Sequence, residues 1–247
     1  MSHQLIIDIG NSSAKVALFE ETTLAEHIHA EHDELPHLLS TMVAEHPMLE
    51  CAILSSVIPL TPAMQEAIEG LPFPCLIMSS NLQMPFNIAY KTPETLGPDR
   101  LAAAAEAWAQ QPGHNLLVID MGTAITYDLV TAEGEYLGGN IAPGVSMRFK
   151  ALNHFTGKLP LVSKAGRRTA IGDTTETAIR EGVLQGVNYE IEGYIRECSN
   201  KYTNLLVFLT GGDAKFLDNQ TKSRTFADSL LVLKGLNRIL TLNDENT

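Results

Sequence analysis

The strongest constraint on how this 247-residue chain can fold is that it repeats itself. Leu5-Ile-Ile-Asp8-Ile-Gly10-Asn11-Ser-Ser13-Ala-Lys15-Val-Ala-Leu-Phe19 matches Leu117-Val-Ile-Asp120-Met-Gly122-Thr123-Ala-Ile-Thr126-Tyr-Asp128-Leu-Val130. Asp8 to Asp120 and Gly10 to Gly122 are both steps of 112 residues. Each copy is an apolar β-rich run, then Asp-x-Gly, then small hydroxyl or amide residues, then a second β-rich run. That pattern predicts a strand, a tight turn and a second strand. A period this long is not a solenoid unit. It predicts two similar domains, residues 1–112 and 113–247, joined at the breaker-rich Gln110-Gln-Pro-Gly-His114.

The intervening segments extend the pattern. Cys51 to Val57 reads as a buried strand, Pro62 to Gly70 as a short helix and Cys75 to Met78 as a short strand. A Pro-interrupted stretch, Asn81 to Thr95, precedes Gly97-Pro98-Asp99-Arg100, which opens a helix running to Trp108 with Pro in its first turn and strong helix formers behind it. In the second half, Thr174 to Gly186 reads as a helix, Leu205 to Leu209 as a strand, and Arg224 to Leu240 as an amphipathic helix with Phe226, Leu230, Leu233 and Leu240 on one face. Alternating strands and helices place the chain in the α/β class.

Composition narrows the function. A hydrophobic fraction of 45% describes a packed globule. Twenty-nine acidic against 17 basic side chains give a net charge of −12, which argues against binding the phosphate backbone of nucleic acid. The N-terminus has no cationic region followed by an apolar run, and no stretch approaches the ~20 apolar residues that span a bilayer. Cys51, Cys75 and Cys198 are too few and too irregular for a disulfide framework or a zinc ribbon. Reduced thiols in a cytoplasmic protein, with no nucleic-acid or membrane partner, are expected.

The repeated turn has a physical logic in phosphate chemistry. Glycine lets the backbone approach a ligand closely. Turn N–H groups and the hydroxyls of Ser12, Ser13 and Thr123 can hydrogen-bond phosphate oxygens. Lys15 can add charge at the β- or γ-phosphate, and the Asp carboxylates can hold a neutralising cation. One Asp-x-Gly turn is an ordinary hairpin signal; two in matched strand contexts point to phosphate binding. Thr210-Gly211-Gly212-Asp213 follows a strand and can open a short helix, leaving bare backbone for an adenine or a ribose, or forming a plain turn. Asp99 beside Arg100 at a helix mouth can complement the helix dipole or take a proton from a hydroxyl while the Arg fixes an anion.

Other features carry less. His27, His29, His32, His37 and His46 crowd one segment without cysteine pairs or a His-Glu-x-x-His pattern, and read as surface residues rather than a metal site. Arg148, Lys150, Lys158, Lys164, Arg167 and Arg168 form a basic stretch free of acidic residues, read as a solvated loop with anion binding as the alternative. No Walker A, Gly-x-Gly-x-x-Gly or Gly-x-Ser-x-Gly sequence is present.

Taken in order, Asp8-Ile-Gly-Asn11, Gly97-Pro-Asp-Arg100, Asp120-Met-Gly-Thr-Ala124, Gly138-Gly139-Asn-Ile-Ala-Pro143-Gly144, Ile171-Gly172-Asp-Thr-Thr175 and Thr210-Gly-Gly212 resemble the type III pantothenate kinases, of the acetate and sugar kinase/Hsp70/actin superfamily. The resemblance covers the chain from about Leu5 to Leu240. It implies two ribonuclease-H-like (actin-like ATPase) domains with a nucleotide cleft between them, a homodimer, and ATP-dependent phosphorylation of pantothenate, the first step of coenzyme A synthesis. On the matching positions it implies Asp99 as general base and Asp8, Gly10, Asn11, Ser12, Ser13, Lys15 and Thr123 at the ATP phosphates. Gly211 and Gly212 would back the adenosine, and Tyr90, Gly97, Pro98, Asp99, Arg100 and Thr175 would contact pantothenate. Asp120 would hold a monovalent cation, K⁺ or NH₄⁺, and Mg²⁺ would accompany ATP. Ser12 departs from the family's usual Thr at that position but keeps the hydroxyl.

Three other readings compete. Another kinase of the superfamily would share both Asp-x-Gly turns without needing Gly-x-Asp-Arg at a helix head. A nucleotide-binding regulator would be expected to have lost its proton acceptor, whereas Asp99 is present. An actin-like assembling protein would need room for insertions that this compact chain lacks.

Overall fold

The computed structural model describes residues 2–214 and 225–244. The chain divides into two compact units. One comprises Met1–Pro112, Gly134–Leu137 and Leu230–Thr247; the other comprises Gly113–Glu133 and Gly138–Ser229.

The first unit contains β1 (His3–Ile9), β2 (Ala14–Glu20), β3 (Thr23–Ala30), α1 (Leu35–Glu45), β4 (Leu49–Ser56), α2 (Pro62–Glu69), β5 (Cys75–Ile77), β6 (Asn87–Ile88) and α3 (Pro98–Gln110). Its sheet has the order β3-β2-β1-β4-β5. The first three strands form an antiparallel meander, and β4 and β5 add in parallel. β1 is buried on both faces, as its near-continuous apolar run requires. Leu5, Ile7 and Ile9 pack with Leu35, Leu39 and Met42 of α1 and Met64 and Ile68 of α2. Strand alternation sends Gln4, Ile6 and Asp8 to the opposite face.

The second unit contains β7 (Leu116–Met121), β8 (Ala124–Val130), most of β9 (Glu135–Pro143), α4 (Val145–His154), α5 (Thr175–Lys201), β10 (Leu206–Thr210) and β11 (Thr225–Ala227). The order β11-β10-β7-β8-β9 reproduces the first sheet position for position. The internal repeat therefore extends from two short motifs to two whole sheets. Phe149 of α4 and Val183, Leu184, Val187 and Ile191 of α5 bury the face formed by Leu117, Ile119, Val207 and Leu209. β6 pairs with the first residues of β9, Asn87 opposite Glu135 and Ile88 opposite Tyr136.

Three expectations about elements need correction. The last helix, α6, spans Leu231–Asp244 rather than starting at Arg224, which lies outside the described residues. Phe226 instead sits in β11, stacked on Phe208 at 5.0 Å. Residues 225–227 are β-prone, and the 3.6-residue apolar period begins only at Leu231. Second, α6 groups with the first unit, not with residues 113–229. It lies on β1, β4 and α3, and Gly235 allows the close approach, since a methyl there would strike the Ala102 carbonyl. Gln4 Nε2 also donates to Thr241 Oγ1 at 3.5 Å. Third, α5 continues past Gly186 to Lys201 because Val187, Ile191 and Ile195 extend its buried stripe.

Candidate functional site

Asp8 is the penultimate residue of β1 and only 6% exposed. Register places Lys15 of β2 opposite it on one side and Ser55 of β4 on the other. Ser55 Oγ donates to Asp8 Oδ1 at 3.1 Å. The Gly10 N–H donates to the Ser13 carbonyl at 3.0 Å and closes the turn, leaving Asn11 and Ser12 exposed and Ser13 and Lys15 half-buried. Burial pushes the Asp8 carboxyl up to about 6; Lys15 pulls it down, the Asp99 charge pushes it up, and the Ser55 hydrogen bond pulls it down.

That influence makes Asp8 and Asp99 electrostatic neighbours, and the fold explains why. Asp8 lies on the sheet face that α6 and α3 cover, and α3 begins at Pro98. Asp99 is half-buried in the first turn of α3, with Oδ1 accepting the Arg100 N–H at 2.9 Å. Gly97 lies against both neighbours: a methyl there would sit 2.6 Å from Asp99 Oδ1 and 3.4 Å from Arg100 Cδ. Arg100 is 6% exposed. Tyr90 is half-buried between β6 and α3 in the same unit.

In the second unit, Asp120 occupies in β7 the place Asp8 holds in β1. Its neighbours in register are Thr126 of β8 and Thr210 of β10. The two turns differ in one respect that the constant spacing hid. Gly122 N–H donates to the Ala124 carbonyl at 3.0 Å, so this turn is one residue tighter. The spacing between halves falls from 112 residues on the first strand to 111 on the second, and Lys15 finds its counterpart in Thr126. In register, Asp120 is opposite Thr126 where Asp8 is opposite Lys15.

Thr123 is exposed, and its carbonyl accepts the Gly144 N–H at 3.0 Å. Thr210 and Gly211 come beside Asp120 because the Asp213 N–H donates to the Met121 carbonyl at 3.0 Å. Gly211 has φ of +90°, and a methyl there would collide with Asp120 Oδ1 and lie 2.6 Å from the Met121 backbone. Gly211 is thus committed to packing against Asp120, while Gly212 is exposed bare backbone. The short helix expected next falls outside the described residues. Thr175 is exposed at the head of α5, behind the reciprocal Thr174–Thr177 cap.

Four cations of the basic stretch are already paired. Arg148 meets Glu190 at 2.7 Å, Lys164 meets Asp213 at 2.5 Å, Arg167 meets Asp173 at 2.8 Å and Arg168 meets Glu181 at 2.6 Å. Lys150 and Lys158 are exposed. Sequence reasoning passed over Ser55, although Cys-Ala-Ile-Leu-Ser55 and Leu-Val-Phe-Leu-Thr210 are matching apolar strands ending in a hydroxyl. It also set aside His32, which reaches the first turn.

Twin sheets of this order, each presenting an Asp-x-Gly turn, define a mixed α/β fold of two ribonuclease-H-like domains. Solved structures agree on the fold. A Campylobacter jejuni protein assigned provisionally to the Baf family of transcriptional activators superposes with a TM-score of 0.65 at 23% identity, over 98% of this chain and 99% of that one. An inorganic polyphosphate/ATP-glucomannokinase from Arthrobacter superposes with 0.52 at 13% identity, over 99% and 100%. The type III pantothenate kinase family model matches residues 4–197, and a type III pantothenate kinase of Phocaeicola vulgatus is 50% identical over 98% of this chain and 99% of its own. The chain belongs to the type III pantothenate kinase family.

Proposed function

We propose that this chain transfers the γ-phosphoryl group of ATP to the primary hydroxyl of pantothenate, the first step of coenzyme A biosynthesis, and that the residues above divide the work. One observation carries the assignment: a buried Asp8, flanked by Lys15 and Ser55, lies within electrostatic reach of Asp99 at the mouth of α3.

Phosphoryl transfer asks a protein mainly for positioning and charge neutralisation. In the first unit the N–H groups of residues 11–13, the Ser12 and Ser13 hydroxyls and the Lys15 ammonium are assigned to the phosphates; in the second unit Thr123 is assigned to phosphate and Gly211 and Gly212 to the adenosine. Asp99 accepts the proton of the attacking hydroxyl as the oxygen–phosphorus bond forms and the bond to ADP breaks. In the first unit Tyr90, Gly97, Pro98 and Arg100 are assigned to pantothenate, with the buried Arg100 suited to its carboxylate; in the second unit Thr175 is assigned to the same substrate.

Asp8 fits a divalent ion: it is a buried oxygen donor, and a cation would offset the burial and the Asp99 charge that disfavour its ionised form. Among the described residues no group of three His, Cys, Asp or Glu could hold a metal alone, which suits Mg²⁺ carried largely by phosphates and water. When bound, Mg²⁺ neutralises phosphate charge. Asp120, with Thr126 and Thr210 in register beside it, takes the monovalent cation, supplying in the second unit the positive charge that Lys15 supplies in the first.

Ile141, Met147, Phe155, Leu161, Ile171 and Tyr189 are exposed apolar side chains of the second unit, and they support a homodimer built on that unit. The three cysteines are free thiols and no described helix is long and apolar enough to cross a membrane; the reading places the enzyme in the cytoplasm.

ADP release from ATP, with and without pantothenate and in potassium or sodium buffer, tests the reading. Release that needs both pantothenate and potassium is expected. Pantothenate-independent hydrolysis would shift the chain to another kinase activity, and equal rates in sodium would remove the cation role of Asp120. Asp99→Asn should abolish turnover and leave ATP affinity near wild type; loss of ATP binding would make Asp99 a structural residue of α3.

A further inference from the structure

His32 follows β3 and precedes α1, and it is half-buried. Its Nε2 lies 3.0 Å from the carbonyl oxygen of Gly10. A carbonyl only accepts, so this contact requires the imidazole to carry its proton on Nε2. We propose that His32 is a positioning residue for ATP, acting by fixing the Gly10–Asn11 peptide plane of the first turn.

The physical chain is short. In a trans peptide the C=O of one residue and the N–H of the next point in opposite directions across one rigid plane. Holding the Gly10 C=O against His32 therefore directs the Asn11 N–H away from His32, where it is available to an anion. Gly10 is the residue of this turn whose torsions are least restrained. Its N–H is held by the Ser13 carbonyl at 3.0 Å, and His32 restrains its other end. Without the imidazole, rotation about Gly10 ψ can turn the Asn11 N–H out of place while the rest of the hairpin stays paired.

The second turn is held differently: the Thr123 carbonyl, one position beyond the counterpart of Gly10, accepts from a main-chain donor, the Gly144 N–H, whereas in the first turn a side chain, His32, holds the Gly10 carbonyl.

The inference rests on the assignment of residues 10–13 to the ATP phosphates, so the test separates the two. His32→Ala should raise KM for ATP about five- to tenfold, the equivalent of one hydrogen bond, with kcat and KM for pantothenate within about twofold of wild type. His32→Gln places an amide N–H at a similar reach and should restore KM for ATP to within about twofold. Titration with a fluorescent ATP analogue should follow the same order, and thermal melts identify any variant that has lost its fold. Lys15→Ala is the control for the underlying reading: it should raise KM for ATP more than His32→Ala does. If Lys15→Ala raises KM and His32→Ala does not, the role of His32 is refuted alone. If neither moves KM, the phosphate assignment falls with it. A kcat loss in both His32 variants without rescue by Gln would also overturn the proposal.

Discussion

Replacing Asp8 by Asn should make the unliganded protein more stable at neutral pH while removing its turnover. The Asp8 carboxyl stands at about 6 in the folded chain against an ordinary 3.8, with burial the dominant cause. At about 1.4 kcal/mol for each pH unit separating the folded and unfolded values, the ionised carboxylate opposes folding by about 3 kcal/mol. The sign follows from the raised value. Well below pH 3.8 the group is protonated in both states and opposes nothing; as pH rises towards 6 the unfolded chain ionises first, and stability falls. Above pH 6 the loss is complete. Asn does not titrate, and its Oδ1 can still accept from Ser55 Oγ. Urea unfolding of both proteins without nucleotide, at intervals from pH 4 to pH 8, should give a stability difference that grows from near zero to about 3 kcal/mol in favour of Asp8→Asn. Titrations of groups that do not sense the Asp8 charge occur in both proteins and cancel. A difference that stays flat with pH, or a variant less stable than wild type at pH 7.5, would refute the reasoning.

Gly97→Ala should lower kcat by about 10- to 100-fold, because its methyl would sit 2.6 Å from Asp99 Oδ1 and turn the proposed base away; its φ of −56° suits alanine, so an unchanged thermal midpoint is the expected control. Gly211→Ala combines a left-handed φ of +90° with a collision against Asp120, and should destabilise the fold by about 2–4 kcal/mol in urea unfolding. Unchanged stability there would show that the Asp120 contact is loose.

Much of the site was legible because its signals are local. A strand, an Asp-x-Gly turn and a second strand are written in adjacent residues at Asp8 and again at Asp120. Pro98 and the alanines behind it mark the head of α3 just as locally. What failed, failed where a pattern had two solutions. Phe226 fits a helical period with Leu230 and Leu233, yet its β-prone neighbours pair with β10 instead. Gly186 looks like a helix stop, yet the buried stripe of α5 runs through it.

By itself the sequence determined the α/β class, the internal repeat, both Asp-x-Gly turns and the helix-mouth carboxylate, because periodicity, turn chemistry and helix starts are properties of short windows. Only the tertiary structure decided that α6 joins the first unit, that Lys15 is matched by Thr126, that Asp99 is brought to Asp8, and that His32 holds Gly10. Strand register, helix packing and contacts across 22 residues or more depend on where distant segments meet, and no short window carries that information.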